Sequence, residues 1–444
     1  MSGNTGTAAS LLARAELNRS RLRYRQASTI ALLLIGYAGY YLCRSDLSVT
    51  LPLLIQEMSA RGVPIDIATT RLGTIASLGV LAYAIGKFPS GGLADFLGGR
   101  RNFLFGMGGA IVFTLLFAVS GTLPLFTLAW IGNRAVQSLG WAGLVKITSK
   151  WFSFSAYGSV MGIVSLSFLF GDAAARQFMG SLISLGLGWR GVFLSAATVL
   201  AMIFALNLLF LRESPSDFGL VEPPVNPQNL FLEKGEHHRP ASVRSLLATF
   251  GSSRIFWLVC ILSLGMTLVR ETFNLWTPTY FTQGIGLSSA EAAEKSALFP
   301  LFGGISVLLT GFLSDRIGKS GRAAIILIGM LLSGAVLLML SRLNFVHHSG
   351  WPVALVAFVA FLIIVPYAYL AGAIALDFGG KQGSATASGI IDGVGYLGGV
   401  LAGNSIANVA VTWGWKGAFA VLAIVTWAAS IAAALYFLHQ RQTA

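Results

Sequence analysis

The chain has 444 residues, 55% of them hydrophobic and only 11% charged, with 30 Lys and Arg against 17 Asp and Glu. A soluble domain carries about 25% charged residues, so this composition excludes a protein wetted on every side and indicates one that crosses a membrane many times. The net charge of +13 does not indicate a nucleic-acid binder, because the basic residues lie in short segments between apolar runs and form no single stripe with interleaved aromatics.

Residues 1–27 are polar and basic, with Arg14, Arg19, Arg21, Arg23 and Arg25, and read as a cytoplasmic segment. The apolar run that follows is long enough to span a bilayer and shows no cleavable signal peptide. Twelve spans are expected, at about 28–57, 71–95, 102–120, 123–149, 156–183, 190–211, 255–282, 289–313, 323–342, 352–374, 384–411 and 416–438. None alternates with period two, so helices are expected and barrel strands are not. The fold class is all-α and polytopic: twelve transmembrane helices in two six-helix bundles, 28–212 and 255–438. The longest polar segment, 213–254, holds Pro215, Pro223, Pro224, Pro227 and Pro240 and reads as a cytoplasmic linker. Residues 439–444 form a cytoplasmic tail. Arg100, Arg101, Lys146, Lys150, Arg316, Lys319, Arg322 and Lys381 all fall on one side of this topology, as positive-inside orientation requires. Cys43 and Cys260 fall in apolar segments and read as small buried hydrophobes.

Charges inside the spans are the functional signal. Arg44 sits near the middle of the first span and Arg270 in a matching place in the seventh. A guanidinium keeps its proton at physiological pH, and burying it in hydrocarbon is costly unless it faces a wet cavity or an anion. One such residue per half suggests a clamp for a negatively charged cargo. Asp46 lies two residues from Arg44, roughly 200° around a helix, and so faces elsewhere. Asp172 and Arg176 are four apart and read as a mutually neutralising pair. Asp392 has no evident partner in the sequence.

The halves also repeat one another. Gly91-Gly-Leu-Ala-Asp95-Phe-Leu-Gly98-Gly-Arg-Arg101 follows the second span, and Gly311-Phe-Leu-Ser-Asp315-Arg316-Ile-Gly318-Lys-Ser-Gly-Arg322 follows the eighth. Asp95, Arg101, Asp315 and Arg316 are read as gating residues, the acids meeting helix N-termini or bases of a neighbouring helix. Internal repeats of this kind mark secondary transporters, with the site near the midplane between repeats.

This paired motif resembles the signature of the major facilitator superfamily. Further stretches resemble, in order, the organophosphate:phosphate antiporters, the group of glycerol-3-phosphate and hexose-phosphate transporters: Gly36-Tyr-Ala-Gly-Tyr-Tyr-Leu-Cys-Arg44, Ala82-Tyr-Ala-Ile-Gly-Lys87-Phe, Gln137-Ser-Leu-Gly-Trp141, Glu213-Ser-Pro-Ser-Asp-Phe-Gly-Leu220, Arg270 with Trp276-Thr-Pro-Thr-Tyr280, and Gly395-Tyr-Leu-Gly-Gly399. The resemblance implies the major facilitator fold, a phosphoryl group held by Arg44 and Arg270, and supporting roles for Lys87, Tyr37, Tyr41, Tyr83 and Tyr396.

The chain departs from that pattern at Phe168, where histidine is expected, and at Ser45, where lysine is frequent. Arg134, in Asn-Arg-Ala-Val-Gln-Ser-Leu-Gly, resembles the fourth-helix arginine of proton-coupled superfamily members. Asp46, Arg134 and Asp392 are therefore candidate proton-coupling residues. Leu-Cys-Arg-Ser-Asp-Leu-Ser (42–48) also resembles the first helix of anion:cation symporters for sugar acids. The expected function is alternating-access transport of an organic anion, an organophosphate or phosphonate, with inorganic phosphate or protons as coupling species. Alternatives are a proton-coupled symporter of sugar acids or other carboxylates, and a membrane sensor for a phosphorylated metabolite. No metal cluster, cofactor loop or nucleophile–base set emerges, so catalysis is not expected. A monomer in a bacterial inner membrane, both termini cytoplasmic, is the implied setting.

Overall fold

A computed structural model describes the backbone of residues 4–223, 250–344, 350–370 and 374–443. Among them regular structure is entirely helical. In a bilayer the backbone must satisfy its own hydrogen bonds, and a helix does so within one segment. The helices are α1 (Asn4–Ala60), α2 (Ile65–Leu97), α3 (Gly99–Val119), α4 (Leu123–Trp151), α5 (Phe154–Ser184), α6 (Trp189–Phe210), α7 (Arg254–Ile285), α8 (Ser289–Ser296), α9 (Leu298–Arg342), α10 (Trp351–Tyr369), α11 (Ala375–Leu401) and α12 (Asn404–Thr443).

These twelve helices are not divided like the twelve expected spans. Nine segments of the described residues are long and apolar enough to cross a membrane. Ser289–Thr310 and Gly321–Arg342 count separately among them although α9 runs through both. The segment Gly389–Gln442 holds two crossings, because α12 breaks at Gly414, whose φ of 71° is open to glycine and strained for other residues. Helices α4 and α5 fall outside that group; they carry Arg134 and the Asp172–Arg176 pair. With them the crossings number twelve. The eighth begins as a separate short helix, α8, opened by a capping box between Ser288 and Glu291. Helix α1 starts far ahead of its apolar stretch, and α12 stays helical through most of the expected tail. Of the expected linker, residues 224–249 lie outside the described residues; its first part forms a 3-10 turn at Pro215–Phe218.

Helices α1–α6 pack as one bundle and α7–α12 as another, and α1, α2 and α5 meet the second bundle. The bundles are joined at the end remote from the chain termini along two seams. In the first, Gly73 of α2 lies so close to the α11–α12 junction that a Cβ would stand 2.9 Å from Ala407 Cβ and 3.0 Å from the Gly403 carbonyl. Neutral hydrogen bonds line this seam: Ser77 Oγ donates to Val400 O (2.5 Å) and accepts from Asn404 N (2.8 Å). In the second seam Pro278 of α7 lacks an N–H, leaving the Asn274 carbonyl without a helical donor. Arg176 Nη2 and Ser48 Oγ of the other bundle each donate to that carbonyl at 2.7 Å. Arg176 is fixed in turn by Asp172 (3.0 Å), and the Ser45 hydroxyl donates to Asp172. The expected intrahelical pair therefore forms, and it also docks one bundle on the other.

Candidate functional site

Helix α1 breaks one residue before Arg44. Cys43 has φ −96° and ψ 18°, and Gln137 Nε2 of α4 donates to its carbonyl at 2.7 Å. A side chain inserted into the helical ladder is a sufficient cause of a kink. Gln137 is itself placed by Asn133 (2.6 Å), which reaches Thr114 Oγ1 (2.9 Å).

Past this break, the Arg44 guanidinium enters the space between the bundles. Its Nη2 donates to Tyr396 OH across the junction at 3.2 Å, and its Cζ stands 4.4 Å from the Tyr83 ring centre and 5.2 Å from that of Tyr41. Tyr83 and Tyr396 pack edge to face at 4.9 Å. From the opposite bundle, buried Arg270 sets its Cζ 4.4 Å from the Tyr367 ring. Tyr41 and Tyr396 are within electrostatic reach of both guanidiniums. Both arginines thus stand near Tyr41 and Tyr396, Arg270 buried and Arg44 half-buried.

Their surroundings differ. Arg270 Nη1 lies 3.0 Å from Glu271 Oε1, close enough for charge neutralisation but misaligned for a hydrogen bond. Arg44 touches phenols and, among the described residues, forms no ion pair. Lys87 pairs with Asp392 across the bundles at 3.2 Å, and Tyr367 OH donates to the other Asp392 oxygen at 3.2 Å. Arg134 stands 4.9 Å from the Tyr83 ring centre and 6.0 Å from that of Trp130, with its Nε unpartnered. Of the four cations Arg44, Lys87, Arg134 and Arg270, two have a carboxylate within ion-pair distance, Asp392 for Lys87 and Glu271 for Arg270.

Other expected residues sit apart. Tyr37 belongs to an aromatic wall with Tyr40, Tyr41 and Trp141. Phe168 packs edge-on to Trp141. Asp46 is fully buried; Oδ1 takes the Leu47 N–H at 2.7 Å, Oδ2 takes no donor, and no ion pair joins it to Arg134. Arg101 is exposed, and the side chains of Asp95, Asp315 and Arg316 lie outside the described residues. Sequence reasoning missed Glu271 and Tyr367. An acid next to an intramembrane arginine was a usable signal; nothing local distinguished Tyr367.

At the termini-proximal end, Glu213 caps α3. It accepts from Gly99 N (2.9 Å) and Arg100 N (2.6 Å) and pairs with Lys150 at 2.9 Å. Partial burial works to raise this carboxyl, but the Arg100 N–H, the Lys150 ammonium and the Gly99 N–H outweigh it and hold it below the usual carboxylate range.

Residues 33–403 match the model of the family described as Major Facilitator Superfamily. The chain is 26% identical to a probable hexose phosphate transport protein of Chlamydia muridarum, over 95% of this chain and 92% of that one. It is 28% identical to the membrane sensor protein UhpC of Salmonella typhimurium, over 94% and 92%. The fold is similar to the inward-facing, unoccupied crystal structure of a bacterial homologue of the human lysosomal transporter Spinster, with a TM-score of 0.68 at 16% identity, covering 94% of this chain and 97% of that one.

Proposed function

The chain belongs to the Major Facilitator Superfamily, and we propose that within it the protein is a secondary active transporter of a phosphorylated small molecule. The observation that carries the reading is Arg44: a guanidinium at the bundle junction that touches phenols and, among the described residues, forms no ion pair. Arg270 meets it from the other half. A fork of N–H donors suits phosphoryl oxygens, and two cations without an ion pair, Arg44 and Arg134, suit a phosphate monoester, which carries about −1.5 to −2 at neutral pH. Bundle closure over the chamber is easier when a bound anion neutralises Arg44, so occupancy and rocking are coupled. In this reading both termini are cytoplasmic, as basic loops favour, the joined seams correspond to an inward-facing posture, and the setting is a bacterial inner membrane. Counter-flow of inorganic phosphate is one driver; cotransport of protons through Asp46, whose buried Oδ2 lacks a donor, is the other. The protein acts as a monomer.

Similarity to a sensor favours a second reading, ligand binding without transport. One experiment separates them. Liposomes carrying the purified chain and loaded with phosphate are expected to accumulate labelled hexose 6-phosphate without a pH gradient. Uptake that appears only under an inward proton gradient selects proton coupling, and binding without uptake selects the sensor. Arg44→Lys should lower uptake about 10- to 100-fold, the worth of one charge-assisted contact; native-like uptake would remove Arg44 from the grip.

A further inference from the structure

On the side of Arg44 toward the joined seams lies a cavity of ≈ 50 Å³ bordered by Arg44, Arg134, Arg176, Ser48, Asn274 and Glu271. It has room for about three or four waters, or one small oxyanion group. The charges on its wall are unequally spent. Arg176 gives its N–H groups to Asp172, Ser296 and the Asn274 carbonyl. Glu271 is taken by Arg270 (3.0 Å) and by Asn274 Nδ2 (3.2 Å). Arg44 spends one contact on Tyr396. Arg134 is 3% exposed, its Nε lacks an acceptor, and among the described residues it forms no ion pair. Buried Arg134 and half-buried Arg44, both against the Tyr83 ring, thus share one polar cavity, and neither forms an ion pair with the two carboxylates on its wall, Asp172 and Glu271. Waters would occupy the donors but leave two neighbouring like charges without a direct ion pair, a costly state in a poorly solvated site. Asp46 is within electrostatic reach of Arg134 but forms no ion pair with it and lies outside the cavity wall.

We infer that Arg134 and Arg44 form an anion subsite in this cavity, a seat for a tetrahedral oxyanion such as inorganic phosphate or the phosphoryl end of a cargo. The inference rests on the organophosphate reading and deepens it. The phosphoryl group is then held by α1 and α4 of one bundle, and Arg270, already neutralised by Glu271, is the lesser grip. The competing role for Arg134 is to offset Asp46 in proton coupling.

Binding of inorganic phosphate and of sulfate to the purified full-length chain in nanodiscs tests this by calorimetry. Arg134→Gln should raise the phosphate Kd about 10- to 100-fold, as loss of one charge-assisted contact does. Arg270→Gln should raise it less. Native phosphate affinity in Arg134→Gln together with weakened binding in Arg270→Gln overturns the subsite and leaves the two-bundle clamp standing. Native affinity in Arg44→Gln, Arg134→Gln and Arg270→Gln alike overturns the organophosphate reading itself. If Arg134→Gln fails to fold, Arg134→Lys decides: a lysine keeps the charge and loses the fork, so a Kd above the native value supports the subsite and an equal one sinks it. Restoration of phosphate affinity by Asp46→Asn in the Arg134→Gln background assigns Arg134 to Asp46 and also overturns the inference.

Discussion

The two seams that join the bundles are built from different materials. Along α2, closure depends on shape: Gly73 and Gly403 let two backbones approach, and small neutral side chains complete the contact. Along α7, closure depends on charge: the Asp172–Arg176 pair reaches over to a carbonyl that Pro278 leaves open. A close backbone approach tolerates no added atom, whereas an ionic dock tolerates no missing partner. Each seam should therefore fail to a different class of substitution.

The largest effect should come from Arg176→Ala, which strips Asp172 of its buried counter-charge. Breaking one partner of a buried pair costs about 3–5 kcal/mol, visible as a lower melting temperature. Arg176→Ala with an undiminished melting temperature would show that the α7 seam is not held ionically. Next, Gly73→Ala should push the α2 seam apart, because the Gly403 backbone cannot rotate away as a side chain could. Overpacking costs about 1–3 kcal/mol, more than the helix propensity gained, roughly 1 kcal/mol. Spin labels at the exposed positions Ile67 and Val411 should report a lengthened distance; an unchanged distance with full stability would remove shape as the closing principle. The smallest effect belongs to Glu213, which binds within one bundle and serves as a control. Its carboxyl is depressed in the folded chain, so its contribution is complete above the ordinary glutamate value of about 4.3 and is lost as pH falls through the lower folded value. Acidification should thus destabilise the native chain more than Glu213→Gln, with no change in the spin-label distance.

Much of the fold was legible because hydropathy is local. Runs of about 20 apolar residues announce themselves, and the repeated Gly–Asp–Gly spacing marks two equivalent halves. Arg44 and Arg270 were legible for the same reason: a charge in an apolar run stands out without any partner being known. What stayed hidden depends on neighbours distant in the chain. Gln137 reads as an ordinary polar residue, yet it sets the break at Cys43 that frees Arg44 from a regular helix. Lys87 and Asp392 are 305 positions apart by their numbers and become partners only across the junction. The two breaks near Ala297 and Gly414 also lie inside or beside apolar runs, where hydropathy alone gives no boundary.

Pro278 bestows on α7 a permanent vacancy. While that helix keeps its α-helical pattern, the Asn274 oxygen has no donor within it, so the donor is borrowed from the other bundle. When the halves swing apart, solvent has to creep into the crevice and take over the loan. Opening toward that face is thereby bound to wetting of a single oxygen, and hydration of the crevice becomes part of the barrier the empty carrier must climb.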